Sequence, residues 1–230
     1  MNWRDFWNRE NPIYVNGRHR ALHYDRIARG IADLVEAPGW SVLDHGAGEA
    51  ISSDLVARRC ARLYLFDAAP NIQDRQRLRF AANQTIVVLT SEALDALPDG
   101  SLDMVVANSL LQYLSRAECE ALLDFWRGKL KPDGKLVLAD VLPPGTNALN
   151  DVRALLRFAW RGGFFFAACA GLVATWFSDY RKLRCNLGLT SYAESDLRAL
   201  LCDRGFEATR APQNLGHNQR RMMIVARLTG

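Results

Sequence analysis

The segment Val42-Leu43-Asp44-His45-Gly46-Ala47-Gly48-Glu49-Ala50 constrains this chain more than any other. Ser41 to Leu43 reads as a short buried strand, and the glycines after it read as a tight turn into a helix. Gly46 and Gly48 carry no Cβ, so the turn can close and a ligand can approach its backbone. Amides at the start of the next helix would point at an anionic or polar group. Asp44, at the carboxyl end of the strand, sets a carboxylate beside that turn.

Further along, strands and helices alternate. Strands are expected near 41–44, 62–67, 85–89, 103–108 and 135–141, and helices near 50–60, 71–82, 116–130 and 194–204. Residues 20–36 form a further helix, with Leu22, Ile27, Ile31, Leu34 and Val35 on one face, stopped by Pro38-Gly39. Met104-Val105-Val106-Ala107 and Leu136-Val137-Leu138-Ala139 are apolar runs, as strands buried on both faces should be. This pattern argues an α/β fold, a parallel sheet with helices on both sides. Ligands of such sheets bind at the carboxyl ends of the strands, where strand order reverses.

Composition narrows the class. A chain of 230 residues with 49% hydrophobic and 23% charged residues suits one globular domain with a sizeable core. The net charge of +4 is too small and dispersed to argue nucleic-acid binding. Cys60, Cys119, Cys169, Cys185 and Cys202 form no C-x-x-C and read as reduced thiols of a cytoplasmic protein. The polar start, Met1-Asn2-Trp3-Arg4-Asp5, does not read as a signal peptide.

Two cofactors compete for the glycine turn. A dinucleotide site wants a third glycine where this chain has Ile51. A carboxylate two residues before the first glycine suits a cofactor bearing an ammonium group better than a pyrophosphate. The segments that follow sharpen the choice. Leu63 to Pro70 (LYLFDAAP) is a second strand ending in an acid. Pro98-Asp99-Gly100-Ser101-Leu102-Asp103 leads a turn into the fourth strand, and Leu130-Lys131-Pro132-Asp133-Gly134 is a turn before the fifth. In this order and spacing, from about Ser41 to Asp140, the chain resembles the class I S-adenosylmethionine-dependent methyltransferases of the small-molecule, type 11 kind.

That resemblance implies a Rossmann-like three-layer sandwich: a mostly parallel seven-stranded sheet closed by a C-terminal antiparallel hairpin, with a helical lid insertion. It implies one domain, 1–230: an N-terminal helical cap (1–40), a cofactor-binding core (41–141), a helical insertion (145–190), and a C-terminal helix and hairpin (191–230). Asp44, Gly46, Ala47 and Gly48 would line the methionine end of the cofactor, with Asn108 near it. Asp67 would bind the ribose hydroxyls, and Ala68 would lie beside the adenine. Ser91 and Glu92 stand where the family usually has an acid for the adenine amine. Either side chain can accept that hydrogen bond.

Catalytic candidates are His217, at the tip of the final hairpin, His23 on the first helix, and Tyr113 after the fourth strand. His19 and His23, spaced i, i+4, would share a direction. Without an H-E-x-x-H pattern they do not argue zinc, and no metal is expected. Tyr14 and Tyr24 would close over the cofactor, and Trp3, Phe6 and Trp7 share a helical face.

The stretch 163–177 runs 15 residues without a charge, short of the ~20 a membrane-spanning helix needs. Arg153, Arg157 and Arg161 precede it, and Arg181, Lys182 and Arg184 follow. A lid over the crevice, a homodimer contact, or a peripheral element at the inner membrane face each fit. The expected function is methyl transfer from S-adenosylmethionine to a small, hydrophobic or lipid-like acceptor. The alternatives are a non-catalytic cofactor-binding partner subunit and an NAD(P)-dependent reductase.

Overall fold

A computed structural model describes residues 14–146, 148–176 and 189–229. The readings of Trp3, Phe6, Trp7, Arg181, Lys182, Arg184 and Cys185 lie outside these residues. The strands are β1 (Ser41–His45), β2 (Arg62–Phe66), β3 (Ile86–Val88), β4 (Leu102–Asn108), β5 (Leu130–Val141), β6 (Phe206–Arg210) and β7 (Met222–Leu228). They form one sheet in the order β3-β2-β1-β4-β5-β7-β6. The first five strands pair in parallel, and β7 runs antiparallel to both β5 and β6. The expected fold class is the observed one. Strand order reverses between β1 and β4, so the carboxyl ends of those two strands frame the crevice.

Two apolar layers hold the sheet. On one face α5 (Arg116–Lys129) and α8 (Glu194–Cys202) bring Cys119, Leu123, Trp126, Leu197 and Leu201 to Leu43, Val105, Leu136 and Leu138. On the other, α1 (Gly17–Leu34) and α3 (Pro70–Phe80) bring Ile27, Ile31 and Phe80 to Val42, Leu63, Leu65, Met104 and Val137. Met104, Val105, Val106 and Ala107 have no exposed surface, as a strand covered on both faces requires.

Local signals place the helix ends. Asn16 caps α1 by accepting from the His19 amide at 2.8 Å. Ser115 and Glu118 form a reciprocal capping box at the start of α5. Pro70 starts α3 as its first residue, where a missing N–H leaves nothing unsatisfied.

Three local expectations need correction. The helix expected over 50–60 shrinks to α2 (Asp54–Ala57), because Gly46, Gly48 and Ala50 all take positive φ (82°, 60° and 49°) and hold 46–53 as turns. The first helix starts at Gly17 and ends at Leu34, before Pro38-Gly39. The turn expected at 130–134 lies within β5: Leu130 pairs with Leu102, and the register then shifts so that Lys135 pairs with Met104. Asp133 takes φ 63° inside that irregularity.

Trp126 has no exposed surface, and its Nε1–H donates to His45 Nδ1 at 3.2 Å. His45 also packs edge-on against Phe66. Trp126→Phe removes the donor, leaves Nδ1 unpaired and opens a void. Urea unfolding should show a loss of about 2–3 kcal/mol.

Candidate functional site

The glycine turn is tied down from inside. The Gly46 and Ala47 amides both donate to the Phe66 carbonyl, at 2.8 and 3.0 Å. The Gly48 amide donates to Asp67 Oδ2 at 2.9 Å, and the Glu49 amide to the Tyr24 hydroxyl at 2.9 Å. The expectation of amides aimed at a ligand is thereby corrected. The turn does not open a helix at this point, and β2 and Tyr24 take up its amides. A Cβ at Gly48 would stand 2.8 Å from the Tyr24 hydroxyl, so only glycine admits that approach.

Asp67 binds the turn to β2. Its second oxygen accepts from the Ala69 amide at 2.9 Å, and Gln73 donates to its backbone carbonyl at 2.7 Å. A carboxylate offers about four lone-pair positions, so two remain for diol hydroxyls. Ala68, beside it, is half-buried. Ser91 and Glu92 open α4 (Ser91–Asp95) just past β3, and both are exposed. The Glu92 carboxyl is held below its usual range by hydrogen bonds to its own amide and to Thr90.

Asp44 is the electrostatic centre. It is buried at the end of β1, and burial together with the neighbouring Asp67 raises its pKa to about 7. Burial also raises Asp67, offset by the hydrogen bonds from Ala69 and Gly48. Among the described residues no donor or cation answers the Asp44 carboxylate. Asn108 ends β4, and its buried Oδ1 has no hydrogen-bond partner. Two crowded acids and an orphaned carbonyl oxygen at these strand ends fit a cationic, donor-bearing ligand. They fit a pyrophosphate poorly.

The catalytic candidates converge with their neighbours. The rings of His19 and His23 lie 6.4 Å apart, and each lies 6.5 Å from His217. Tyr14 stands 5.5 Å from both His19 and His23 and 5.8 Å from Tyr24. Tyr113 follows β4 in a short helical turn, Leu111–Tyr113, near enough to Tyr14 to disfavour its ionised form. Burial lowers His23 to about 3 and His19 to about 4, with the other imidazoles assisting. Burial also lowers His217, while Asp140 and Asp151 oppose that shift. All three rings are therefore neutral near pH 7.

A helical pair walls this cluster. In α6 (Ala148–Gly162) the Phe158 ring stacks on His217 at 4.9 Å. Phe164, before α7 (Phe165–Trp176), stacks on His19 at 5.0 Å. Among the described residues, no group of three or more His, Cys, Asp or Glu side chains is arranged to hold a metal ion.

Sequence reasoning missed a polar network below His217. The Ser109 hydroxyl donates to Asp140 Oδ2 at 2.7 Å, and Asn214 donates to Oδ1 at 3.0 Å. Arg221 reaches Asp140 at 2.9 Å and Asp151 at 3.4 Å, and Asn218 donates to Asp151 at 2.8 Å. The network joins β4, β5, the final loop and α6. Nothing in its spacing marks it, although Asp140 and Ser109 both sit at strand ends, where site residues gather.

Residues 43–138 match the family described as "Methyltransferase domain". Over residues 43–138, fewer than half of the chain, the protein is thus similar to a methyltransferase domain, and the resemblance implies S-adenosylmethionine as the cofactor. Similar proteins include the ribosomal protein L11 methyltransferases of Burkholderia vietnamiensis (35% identical over 107 residues, 46% of this chain and 33% of the relative). That of Paraburkholderia xenovorans is 33% identical over 119 residues, 51% of this chain and 37% of the relative. The chain thus spans about a third of the length of the curated relatives it matches. Among solved structures, magnesium protoporphyrin IX methyltransferase from Synechocystis with bound S-adenosylmethionine superposes at TM-score 0.56. It is 18% identical and covers 99% of this chain and 89% of that one. The pyocyanin biosynthetic protein PhzM superposes at 0.61, with 16% identity, covering 100% of this chain and 62% of that one.

Two predictions follow from the paired acids. Asp67→Ala should weaken cofactor binding by about 10- to 100-fold in calorimetry, the cost of unpaired buried hydroxyls. Asp44 has a folded pKa near 7 against about 3.9 unfolded, so its stability contribution is lost as pH rises from about 4 to about 7. Asp44→Asn should therefore stabilise the free protein at pH 8 by up to roughly 4 kcal/mol, with little effect at pH 4, while abolishing affinity for the cationic cofactor. Thermal melts at both pH values, with calorimetry, test this.

Proposed function

We propose that the chain is an enzyme that transfers the methyl group of S-adenosylmethionine to a small hydrophobic acceptor. The observation that carries this reading is the wall of Tyr14, Phe158, Phe164 and three neutral imidazoles beside the cofactor turn. Such a wall suits an apolar ring or chain with one polar atom. When bound, the cofactor supplies an electrophilic methyl on a sulfonium leaving group.

The protein's own work is then mainly placement. Asp44 and Asn108 would hold the methionine end, Asp67 the ribose, and Ser91 or Glu92 the adenine amine. Tyr24 keeps the Gly48–Glu49 turn in shape. His217 is uncharged near neutral pH, and Asp140 and Asp151 favour the imidazolium that forms when it accepts the acceptor's proton. His23 and Tyr113 complete the wall as positioning residues.

A second reading, transfer to a protein side chain, draws support from the ribosomal protein methyltransferases that share the core. Phe158 and Phe164, stacked on His217 and His19, favour the small acceptor, because they leave less room for a folded partner.

Mass spectrometry of a metabolite extract, incubated with the protein and isotopically labelled cofactor, should reveal a labelled apolar product. A label found on protein alone would select the second reading, and no label at all would leave a binding subunit. His217→Gln should lower kcat by about 10²- to 10⁴-fold with cofactor affinity unchanged. The parent's kcat should fall only below the ordinary histidine pKa of about 6.5, as His217 gains a proton. Unaltered kcat in His217→Gln removes the base assignment.

A further inference from the structure

The helical hairpin that walls the candidate site has a second, outward face. Trp160 is 73% exposed in the last turn of α6, and Phe166 is 87% exposed in the first turn of α7. Phe165 lies between them, with ring centroids 5.5 Å from Trp160 and 5.9 Å from Phe166. The three rings sit at the tip, where Gly163 reverses the chain at φ 71°. The inward face is already satisfied, with Leu155, Leu156, Phe158, Ala159, Phe164 and Ala168 packing on Val15 and Leu22. The outward rings are therefore not a spill-over of the core.

The exposed charges that α6 and α1 bring to this tip, among the described residues, are of one sign. Arg153, Arg157 and Arg161 are exposed, spaced i, i+4 and i+8 along α6 on the side that carries Trp160. Arg18 of α1 donates to the Gly162 carbonyl and adds a fourth guanidinium at the turn. No acidic residue occurs between Asp151 and Asp179, and Asp151 is turned inward to Arg221 and Asn218.

We infer that the α6–α7 tip is an anchor for an anionic lipid surface, the rings seated at the headgroup boundary and the arginines on lipid phosphates. Tryptophan and phenylalanine favour that boundary, and arginine stems lie along it with the charge kept wet. The exposed apolar area of the three rings amounts to a few hundred Å², at about 150–250 Å² for each fully buried ring. That falls short of the ~800 Å² per partner of a stable protein interface, whereas shallow bilayer insertion needs no such area. No described helix is long and apolar enough to cross a membrane, so the contact is a surface one.

Co-sedimentation with vesicles tests this independently of the methyl acceptor. The whole chain should pellet with phosphatidylcholine vesicles containing phosphatidylglycerol at least tenfold better than with phosphatidylcholine alone. Trp160→Ala combined with Phe166→Ala should reduce that binding about tenfold, and Arg157→Gln combined with Arg161→Gln should remove the preference for anionic vesicles. Both pairs are exposed, so melting temperatures should match the parent's. Lipids brominated near the headgroup should quench tryptophan emission, and Trp160→Phe should abolish most of that quenching. Equal, negligible pelleting with both vesicle types overturns the inference. So does a dimer in light scattering that Trp160→Ala dissolves.

Discussion

Everything in the site leans on how two carboxylates share one dry corner. Asp44 ends β1 and Asp67 follows β2, and parallel pairing of these strands sets the two acids side by side. Asp67 is quieted by amides from Gly48 and Ala69. Asp44 has no such help among the described residues, so it holds its proton to about pH 7. A free protein with this arrangement stores an electrostatic deficit that a bound cation removes. The proposed fit to a sulfonium and ammonium, and not to a pyrophosphate, thus rests on the sheet register and on these two side chains together.

The same corner explains the shape of the turn. Its amides are spent on Phe66, Asp67 and Tyr24, which leaves the turn rigid before any ligand arrives. A preorganised turn costs little ordering entropy on binding. The glycines serve geometry more than donation: Gly48 yields room to the Tyr24 hydroxyl, and both take the positive φ that bends the chain away from β1. Ala50 shares that backbone region at φ 49°, which carries strain for a residue with a Cβ.

Legibility in the sequence followed the range of the interactions. Asp44, Asp67 and Asn108 at strand ends and Gly46 and Gly48 in the turn are legible as candidates because they belong to short contiguous motifs. The pattern over 50–60 reads as one helix because nothing local marks a turn held from β2. His19 and His23 were visible as an i, i+4 pair, but their meeting with His217 needs a chain separation of nearly two hundred residues to close. The Ser109–Asp140–Asn214–Arg221–Asp151 network was invisible for the same reason: each member looks like an ordinary loop polar residue.

By itself the sequence determined the alternation of buried strands and amphipathic helices, the glycine turn and its flanking acids, because these rest on periods of two and 3.6 residues and on backbone sterics. Tertiary structure alone decided that the turn's amides face inward, that Asp44 titrates near neutrality, and that three imidazoles share an aromatic wall. It also turned Trp160 and Phe166 outward from α6 and α7. Those outcomes depend on desolvation and on contacts between residues far apart in the chain, quantities that have no local signature.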